Sequence, residues 1–172
     1  RLRPFTINTP KCLMPIKGVP LLEIWLEKLS NAGINDFLIN THHLNEKIYN
    51  YIGTSKYKKS IQIVYEKELL GTAGTLLNNI SFFDNQDGIF IHADNYTLDD
   101  LKNFIKFHTI RPKSCLISMM TFETDNPSAC GIIKKNKENI VTNFYEKKIG
   151  NFGNEANGAV YILSKEFQKL LI

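Results

Sequence analysis

The sequence has little that would support a disulfide framework, a structural zinc site or a membrane anchor. Its 172 residues include only three cysteines, at positions 12, 115 and 130, and they form no CxxC pair. A disulfide scaffold or a cysteine-based zinc site is therefore not expected, and a reducing cytoplasm is the predicted compartment. No apolar run approaches the roughly 20 residues that span a bilayer, and the first residues do not have the form of a signal peptide.

The sequence also has little net charge. Lys and Arg number 21 against 17 Asp and Glu, so the net charge is +4. This balance suits a small polyanionic substrate at least as well as a nucleic acid, and no arginine-rich helix or aromatic stacking motif favours a nucleic-acid-binding module. With 43% hydrophobic and 22% charged residues, the composition is globular, and the length predicts a single domain over residues 1–172.

The spacing of apolar residues predicts alternating helices and strands. Leucines and Trp25 between Pro20 and Ala32 fall on one helical face, with Gly33 as the predicted stop. This alternation predicts an α/β fold with a Rossmann-like, mostly parallel mixed sheet, helices on both faces and antiparallel strands added in the C-terminal third. The other predicted helices are 44–52, one after a capping box at 97–100, and 165–172; the predicted strands are 36–40, 61–66, 88–92 and 114–121, with short β-like runs after residue 129.

Ligands in such folds bind beyond the carboxyl ends of the strands. That rule directs attention to the loops after the strands at 61–66 and 88–92, and to the end of the β-like run near residue 146. These loops contain acidic, basic and glycine residues, which a site for phosphates and a metal ion requires.

Two cations that are close to prolines in the sequence stand near the start of the chain. Arg1 opens the run RLRP, and Lys11 follows Pro10. A guanidinium is a rigid fork and an ammonium is a point charge, so the two together suit a loop that clamps phosphates. From charge alone, an exposed basic terminus is the favoured interpretation.

The longer sequence pattern around Arg1 and Lys11 favours the phosphate-binding interpretation instead. The run RLRPFT-x₃-PK-x-LMPIKGVPLLE resembles the N-terminal signature of the sugar-1-phosphate nucleotidylyltransferases, and the resemblance extends along nearly the whole chain. It implies the nucleotide-diphospho-sugar transferase fold, and it implies that Arg1 and Lys11 steady a nucleoside triphosphate. The family's first strand and glycine-rich loop precede this Arg and are missing here, so we expect the natural molecule to be longer.

A second motif runs from Glu66 to Thr75 as EKELLGTAGT. Small residues let backbone approach a ligand, and Gly71 can open a helix whose N-terminus favours anions, although alone it is weak evidence. A Glu followed by LGTAG resembles the nucleobase-binding segment of guanylyltransferases, which implies nucleotide contacts from Glu66, Gly71 and Thr72. One carboxylate can accept from both N1–H and N2–H₂ of guanine, whereas uracil offers one such donor. GTP is therefore favoured over UTP, CTP and dTTP.

A third motif, IHADN, follows the predicted strand 88–92. Period two places His92 and Asp94 on one face. Alone, an Asp here often only caps the following turn. The resemblance implies that Asp94 is the family's metal aspartate and holds Mg²⁺ between the phosphates, with Ala93 in place of the usual Gly. His92 is expected to pack or support the site rather than bind the metal. A second metal-binding Asp is expected beyond Ile172.

Three C-terminal segments, CG, FYEK and NGAVY, resemble the sugar-binding segments of the family. Lys148 stands where the family has Pro, and Asn-Gly-Ala replaces Asn-Ala-Gly. Without the resemblance, an acid beside a lysine at a strand end indicates only a solvated charge pair. The resemblance implies backbone contact from Gly131, hydrogen bonds from Glu146 and Asn157 to sugar hydroxyls, and contact between Lys147 and the sugar phosphate.

The implied function is nucleotidyl transfer from a nucleoside triphosphate, with GTP favoured, to a mannose- or heptose-like sugar 1-phosphate. No Ser-His-Asp or Cys-His arrangement is apparent, which fits a reaction whose nucleophile is already anionic. A non-catalytic nucleotide-sugar-binding subunit of the same fold is the main alternative, although Lys11, Asp94 and Lys147 argue for catalysis. Nucleic-acid and membrane partners are not expected, and a homo-oligomer is compatible with the sequence.

Overall fold

A computed structural model of the chain describes residues 2–148 and 150–171. These residues form two compact units, the first containing residues 2–84 and 96–102 and the second containing residues 85–95, 103–148 and 150–171. The expectation of one domain over residues 1–172 stays a prediction. Within the described ranges, no helix has the length and apolar character that crossing a bilayer requires.

Five α-helices and nine strands occur in the described residues. The helices are α1 (Leu21–Asn31), α2 (Asn45–Thr54), α3 (Gly71–Asn78), α4 (Leu101–Thr109) and α5 (Lys165–Lys169). The strands are β1 (Pro15–Ile16), β2 (Val19–Pro20), β3 (Phe37–Thr41), β4 (Ile61–Tyr65), β5 (Gly88–Ile91), β6 (Ile117–Glu123), β7 (Gly131–Lys135), β8 (Val141–Glu146) and β9 (Glu155–Leu163).

The first unit packs α1 and α2 against the parallel pair formed by β3 and β4. Leu22 and Leu26 lie one helical turn apart on α1, and they share a buried cluster with Phe37, Ile48 and Ile52. The pair runs in register from Phe37 opposite Ile61 to Thr41 opposite Tyr65. Parallel pairing brings the carboxyl ends of β3 and β4 to one edge, and the segment after β4 leaves the sheet from that edge.

The second unit is built around β9. This strand pairs antiparallel with β5 and with β6, and at one residue pair with β7, which forms an antiparallel hairpin with β8. Ala156, Val160 and Ile162 are the most buried apolar residues of β9 together with Leu163. The turn after β5 and the ends of β8 and β9 carry the polar residues that the sequence singled out.

The α/β class with both parallel and antiparallel strand pairing is confirmed, and so are the antiparallel strands of the C-terminal third, although the described residues place the two kinds of pairing in separate sheets. Fewer strands pair in parallel than the sequence predicted, because β5 and β6 both pair antiparallel with β9. Among the described residues, β3 and β4 form the only parallel pair. The start of α4 differs from the predicted capping box at 97–100. The Asp100 carboxylate accepts from the Lys102 amide at 2.9 Å, and the Thr97 hydroxyl exchanges hydrogen bonds with Asp99 instead of Asp100.

Candidate functional site

Lys11 lies at the start of a single 3₁₀ turn, Lys11–Leu13, directly after the buried Pro10. The Leu13 amide donates to the Pro10 carbonyl at 2.9 Å, and the Met14 amide donates to the Lys11 carbonyl at 3.0 Å. Leu13 packs against the core of the first unit, so the backbone of the turn is anchored while the Lys11 residue is exposed. Arg1, the other predicted triphosphate contact, lies outside the described residues.

Glu66 is a buried carboxylate directly after β4, with 5% of its surface exposed. The Thr75 hydroxyl donates to Oε1 at 2.6 Å, and the Leu70 amide donates to Oε2 at 3.4 Å. Its backbone is tied down as well, because the Glu66 amide donates to the Thr41 carbonyl at 2.9 Å and His42 Nδ1–H donates to the Glu66 carbonyl at 2.8 Å. Protein donors therefore fix the carboxylate in place.

The geometry of Glu66 has a direct chemical consequence. A buried carboxylate without donors is costly, so the Thr75 hydroxyl and the Leu70 amide stabilise this one. Each carboxylate oxygen accepts one bond and keeps a second lone pair for a ligand donor. The role of Thr75 was missed from the sequence, where a threonine nine residues after Glu66 gives no indication of contact.

The glycine segment opens a helix, which was one of the two interpretations that the sequence allowed for Gly71. Gly71 has φ +71° and begins α3, and Thr72 follows it in the first turn. Both residues are exposed, and Leu70 at the N-cap provides no side-chain capping bond. The first-turn amides at Gly71 and Thr72 can therefore donate to an anion, next to the segment that Glu66 anchors.

In the second unit, Asp94 is exposed on the turn that follows β5. The turn is closed by the Asn95 amide, which donates to the His92 carbonyl at 3.0 Å. It is also joined to β9, because the His92 amide donates to the Ala159 carbonyl at 3.0 Å and Asn95 Nδ2 donates to the Gly158 carbonyl at 3.0 Å. The backbone on both sides of Asp94 is thus held against β9.

The His92 ring packs as expected. It meets the Phe90 ring edge-on, with ring centroids 5.9 Å apart. Residues 90 and 92 share a face by the two-residue period of a strand.

Asn157 uses both of its side-chain polar atoms inside β9. Its Nδ2 donates to Tyr161 Oη at 2.6 Å, and its Oδ1 accepts from the Ala159 amide at 2.8 Å. Each atom keeps one further bonding position, so the predicted contact with sugar hydroxyls is chemically compatible with these bonds. Ala159 has φ +53°, a left-handed conformation that is unfavourable for a residue with a Cβ.

Gly131, Glu146 and Lys147 meet at the β7–β8 hairpin. Gly131 is directly opposite Glu146, and a Cβ on Gly131 would lie 2.7 Å from Glu146 Oε2 and 2.6 Å from Phe144 Cζ. The Lys147 amide donates to the Cys130 carbonyl at 3.2 Å. The Glu146 and Lys147 side chains form an ion pair of 3.1 Å and are 57% and 63% exposed. Sequence reasoning identified the three residues but missed that Gly131 makes room for Glu146.

An aromatic pair follows the same hairpin. The rings of Tyr145 and Phe152 are stacked with centroids 4.2 Å apart, and the ammonium groups of Lys134 and Lys148 lie 5.8 and 5.9 Å from the Tyr145 ring centroid. Lys148, which stands where the family has Pro, therefore contacts an aromatic ring of this hairpin. The sequence reasoning did not single out Tyr145 or Phe152.

The carboxylate at the start of β9 belongs to a structural network. Glu155 Oε1 accepts from Lys135 Nζ at 2.7 Å and from the Thr121 hydroxyl at 2.8 Å. The hydrogen bond from Lys135 is the main reason that the pKa of Glu155 lies below its usual value. This network ties β6, β7 and β9 together at the end of β9 that leads to Asn157.

The donor set for a divalent cation is sparse. No group of three or more His, Cys, Asp or Glu side chains that could hold a metal ion occurs in residues 2–148 and 150–171. Asp94 offers an exposed carboxylate on a well-anchored turn. Mg²⁺ is commonly held by one or two carboxylates together with substrate phosphates, so a single exposed Asp fits an ion that arrives with a nucleotide.

The structure groups some predicted residues within each unit. In the first unit, it joins Glu66 to the segment that carries Gly71 and Thr72. In the second unit, it joins the turn of Asp94 to the strand of Asn157, and separately it brings Gly131, Glu146 and Lys147 together. The roles of these residues toward ligands stay predictions.

Comparison with known proteins identifies relatives along the whole chain. The mannose-1-phosphate guanyltransferase of Pichia angusta is 29% identical over 170 residues, which is 95% of this chain and 46% of that protein. The enzyme of the same name from Saccharomyces cerevisiae is 29% identical over 182 residues, covering 99% of this chain and 48% of that protein. The chain thus spans about half the length of the curated relatives it matches.

A solved structure has the same fold. HddC from Yersinia pseudotuberculosis, complexed with GMP-PN, superimposes with a TM-score of 0.76 at 25% sequence identity, covering 96% of this chain and 72% of that chain. The nucleotide-diphospho-sugar transferase fold implied by the sequence is confirmed. The family model described as nucleotidyl transferase matches residues 1–172, and with this match the resemblance seen in the sequence becomes an assignment: the chain belongs to the nucleotidyl transferase family.

Proposed function

We propose that this protein transfers a nucleotidyl group from a nucleoside triphosphate, with GTP preferred, to a mannose- or heptose-like sugar 1-phosphate. The products are a nucleoside-diphosphate sugar and pyrophosphate. The observation that carries this proposal is the match of the nucleotidyl transferase family model to residues 1–172. Two relatives named mannose-1-phosphate guanyltransferase, and the HddC structure with GMP-PN, support guanine as the base.

The proposed reaction needs no general base. An anionic phosphate oxygen of the sugar 1-phosphate attacks the α-phosphorus, forming a new P–O bond. The bond from the α-phosphorus to the α–β bridging oxygen breaks, and pyrophosphate departs with the electron pair. Because no proton is transferred in this step, the protein acts by positioning the two anions and neutralising their charge.

In the first unit, the proposed contacts are with the nucleotide. Lys11, together with Arg1, steadies the triphosphate and the leaving pyrophosphate. Exposed amides at Gly71 and Thr72 receive phosphate oxygens at the start of α3. Glu66 accepts from the N1–H and N2–H₂ donors of guanine through the lone pairs that Thr75 and Leu70 leave available.

In the second unit, the proposed contacts are with the sugar 1-phosphate and the metal. Glu146 and Asn157 accept from sugar hydroxyls, Gly131 provides backbone contact, and Lys147 exchanges its ion pair with Glu146 for the sugar phosphate. Asp94 holds Mg²⁺, which when bound neutralises phosphate charge. The exposure of Glu146 and Lys147 supports this exchange, because a solvated pair is inexpensive to open.

A substrate panel tests the proposal. The complete protein is incubated with Mg²⁺, mannose 1-phosphate or a heptose 1-phosphate, and GTP, UTP, CTP or dTTP in turn, while pyrophosphate release is measured. We expect GTP to give kcat/KM at least about tenfold above UTP, since the difference of one charge-assisted hydrogen bond corresponds to roughly that factor. The Glu66→Gln variant replaces one acceptor oxygen of the carboxylate by an NH₂ donor, so it should lose the preference for GTP.

The outcomes separate the alternatives. A clear preference for UTP, CTP or dTTP would overturn the argument from Glu66 while leaving nucleotidyl transfer intact. Binding of a nucleoside-diphosphate sugar without any pyrophosphate release would favour the regulatory-subunit alternative.

A further inference from the structure

We propose that Asn95 is a positioning residue that fixes the turn of Asp94 against a bulge in β9. The inference rests on the proposed function for the role of Asp94. The observation behind it is independent of that role, since it concerns how one turn is attached to one strand. Asn95 was noted in the sequence only as the neighbour of Asp94.

The backbone ladder between β5 and β9 stops just before Asp94. It pairs Gly88 with Leu163 and ends with Ile91 opposite Val160, and the His92 amide adds one last bond to the Ala159 carbonyl at 3.0 Å. Beyond this point no backbone bond between the turn and β9 is seen among the described residues.

Beyond the end of the β5–β9 ladder, the side chain of Asn95 bonds the turn to β9. Its Nδ2 donates to the Gly158 carbonyl at 3.0 Å, and its own amide closes the turn on the His92 carbonyl at 3.0 Å. Asp94 therefore lies between two anchors to consecutive carbonyls of β9, the His92 amide on one side and the Asn95 side chain on the other. Removing either anchor removes one of these two attachments of the turn to β9.

The bulge in β9 presents these two carbonyls. On β6, Met119 pairs with Tyr161 and Thr121 pairs with Asn157, so one residue of β6 between these pairs lies opposite three residues of β9. The extra length is taken up around Ala159, whose φ is +53°. Bulges of this kind redirect backbone and side chains, and they are frequent next to active sites.

Two further contacts hold the bulge in this shape. Asn157 Oδ1 accepts from the Ala159 amide at 2.8 Å across the bulge, and Asn157 Nδ2 donates to Tyr161 Oη at 2.6 Å. On the other side, a Cβ on Gly158 would approach the Met120 carbonyl oxygen to 3.0 Å, so the backbones of β6 and β9 are already in close contact. The bulge is therefore a fixed platform, and Asn95 is the side chain that attaches the Asp94 turn to it.

The arrangement also predicts which kinetic constant should change. The proposed sugar 1-phosphate contacts are Gly131, Glu146, Lys147 and Asn157, and Asn95 is not among them. Loss of the Asn95 donor should leave sugar 1-phosphate binding nearly intact while misplacing the carboxylate of Asp94. Loss of a residue that orients a metal ligand typically costs about 10- to 100-fold in metal affinity or activity.

The experiment compares Asn95→Ala and Asn95→Asp with wild type, and uses Asn103→Ala on the exposed surface of α4 as the matched control. Both Asn95 variants remove the donor, and Asn95→Asp keeps the shape of the side chain. The measurements are pyrophosphate release, binding of Mn²⁺ as the probe ion with α,β-methylene-GTP, and hydrogen exchange of the segment 88–96.

We expect both Asn95 variants to lower kcat and Mn²⁺ affinity by about 10- to 100-fold and to change KM for the sugar 1-phosphate less than about threefold. Exchange at the His92 and Asn95 amides should accelerate, while the β7–β8 hairpin and the Asn103→Ala control stay at wild-type values. Unchanged exchange and unchanged Mn²⁺ affinity in both variants would overturn the inference.

Failure of the proposed function gives a different pattern. If wild type releases no pyrophosphate with any nucleotide, the proposed function fails, and exchange of the segment 88–96 alone decides whether Asn95 anchors the turn. Faster exchange in the variants then supports the anchor, and wild-type exchange overturns it.

Discussion

Two glutamates singled out by the same sequence reasoning are held in opposite ways. Glu66 in the first unit is 5% exposed and accepts from Thr75 and Leu70, whereas the side chain of Glu146 in the second unit is 57% exposed and pairs with Lys147. The fold fixes the first carboxylate before any ligand arrives. The second is free to reorient, so its final geometry depends on the ligand. A charged pattern in a sequence does not distinguish these two cases.

The largest expected effects come from the exposed charges proposed to act on phosphates, Lys11 in the first unit and Asp94 in the second. Lys11→Ala and Asp94→Asn should each lower kcat by about 10²–10³-fold, because each removes electrostatic stabilisation of the reacting phosphates. The melting temperature should barely change, since both residues are exposed. Pyrophosphate release and thermal melts measure the two quantities.

The control for these variants is Lys59→Ala, which removes an exposed cation elsewhere in the first unit. Near-normal turnover in Lys11→Ala or Asp94→Asn would remove that residue from its proposed role.

The next effect tests the contrast between the two carboxylates directly. Thr75→Val removes the donor of a 2.6 Å bond to buried Glu66 and should destabilise the protein by about 1–3 kcal/mol, whereas Glu146→Gln should cost less than about 1 kcal/mol. Urea denaturation gives both values. Thr75→Ser keeps the hydroxyl and is the matched control. Equal losses for Thr75→Val and Glu146→Gln would mean that burial does not separate the two carboxylates.

A smaller change in stability is expected from substitutions at the β9 bulge, where Ala159 has a left-handed conformation. Ala159→Gly should stabilise the protein by about 0.5–1 kcal/mol, because relief of a left-handed alanine exceeds the entropy that glycine adds to the unfolded chain. Gly158→Ala should have the opposite sign, since its Cβ would press on the Met120 carbonyl. Thermal denaturation measures both. Destabilisation by Ala159→Gly would show that the bulge tolerates alanine without strain.

The smallest expected effect is a pH dependence of stability that comes from His108, a buried residue of the second unit outside the predicted site. His108 is 2% exposed and contacts Ser118 and Asp87, and burial is the main reason that its pKa lies below 6.5, with the Arg111 charge acting in the same direction. Asp87 opposes the shift. The unfolded chain therefore takes up a proton that the folded chain resists, so stability falls as the pH drops below about 6.5.

The measurement is the free energy of unfolding of wild type and His108→Gln between about pH 5 and pH 8. The difference between the two should change below pH 6.5 with a slope no steeper than about 1.4 kcal/mol per pH unit, the limit for one proton. A difference independent of pH would show that His108 titrates alike in both states.

Much of the fold follows from local patterns. The leucine spacing of α1 and its stop at Gly33 are visible in the sequence because a helix of this length buries one face. Boundaries set by pairing are less visible. β6 was predicted from residue 114, yet it begins at Ile117, since its ladder begins where Ile117 meets Leu163. The two-residue strands β1 and β2 are too short to carry a periodic pattern.

The candidate site was predictable in its residue types but less so in its contacts. Glu66, Asp94 and Asn157 were identified by motif, and the motif says nothing about what holds them. The bond from Thr75 to Glu66 joins residues nine positions apart across a helix start, and the bond from Asn95 to Gly158 joins residues 63 apart. Such contacts depend on tertiary geometry, which neither spacing nor charge encodes.

The close approach at the β7–β8 hairpin has a consequence for engineering new sugar selectivity. A side chain at position 131 would have to displace the Glu146 carboxylate and the Phe144 ring, which lie 2.7 and 2.6 Å from where its Cβ would be. A change at one of these three positions therefore limits which residues fit at the other two. A library that randomises Glu146 alone samples only side chains that fit beside glycine at position 131. The three positions form a single combinatorial unit.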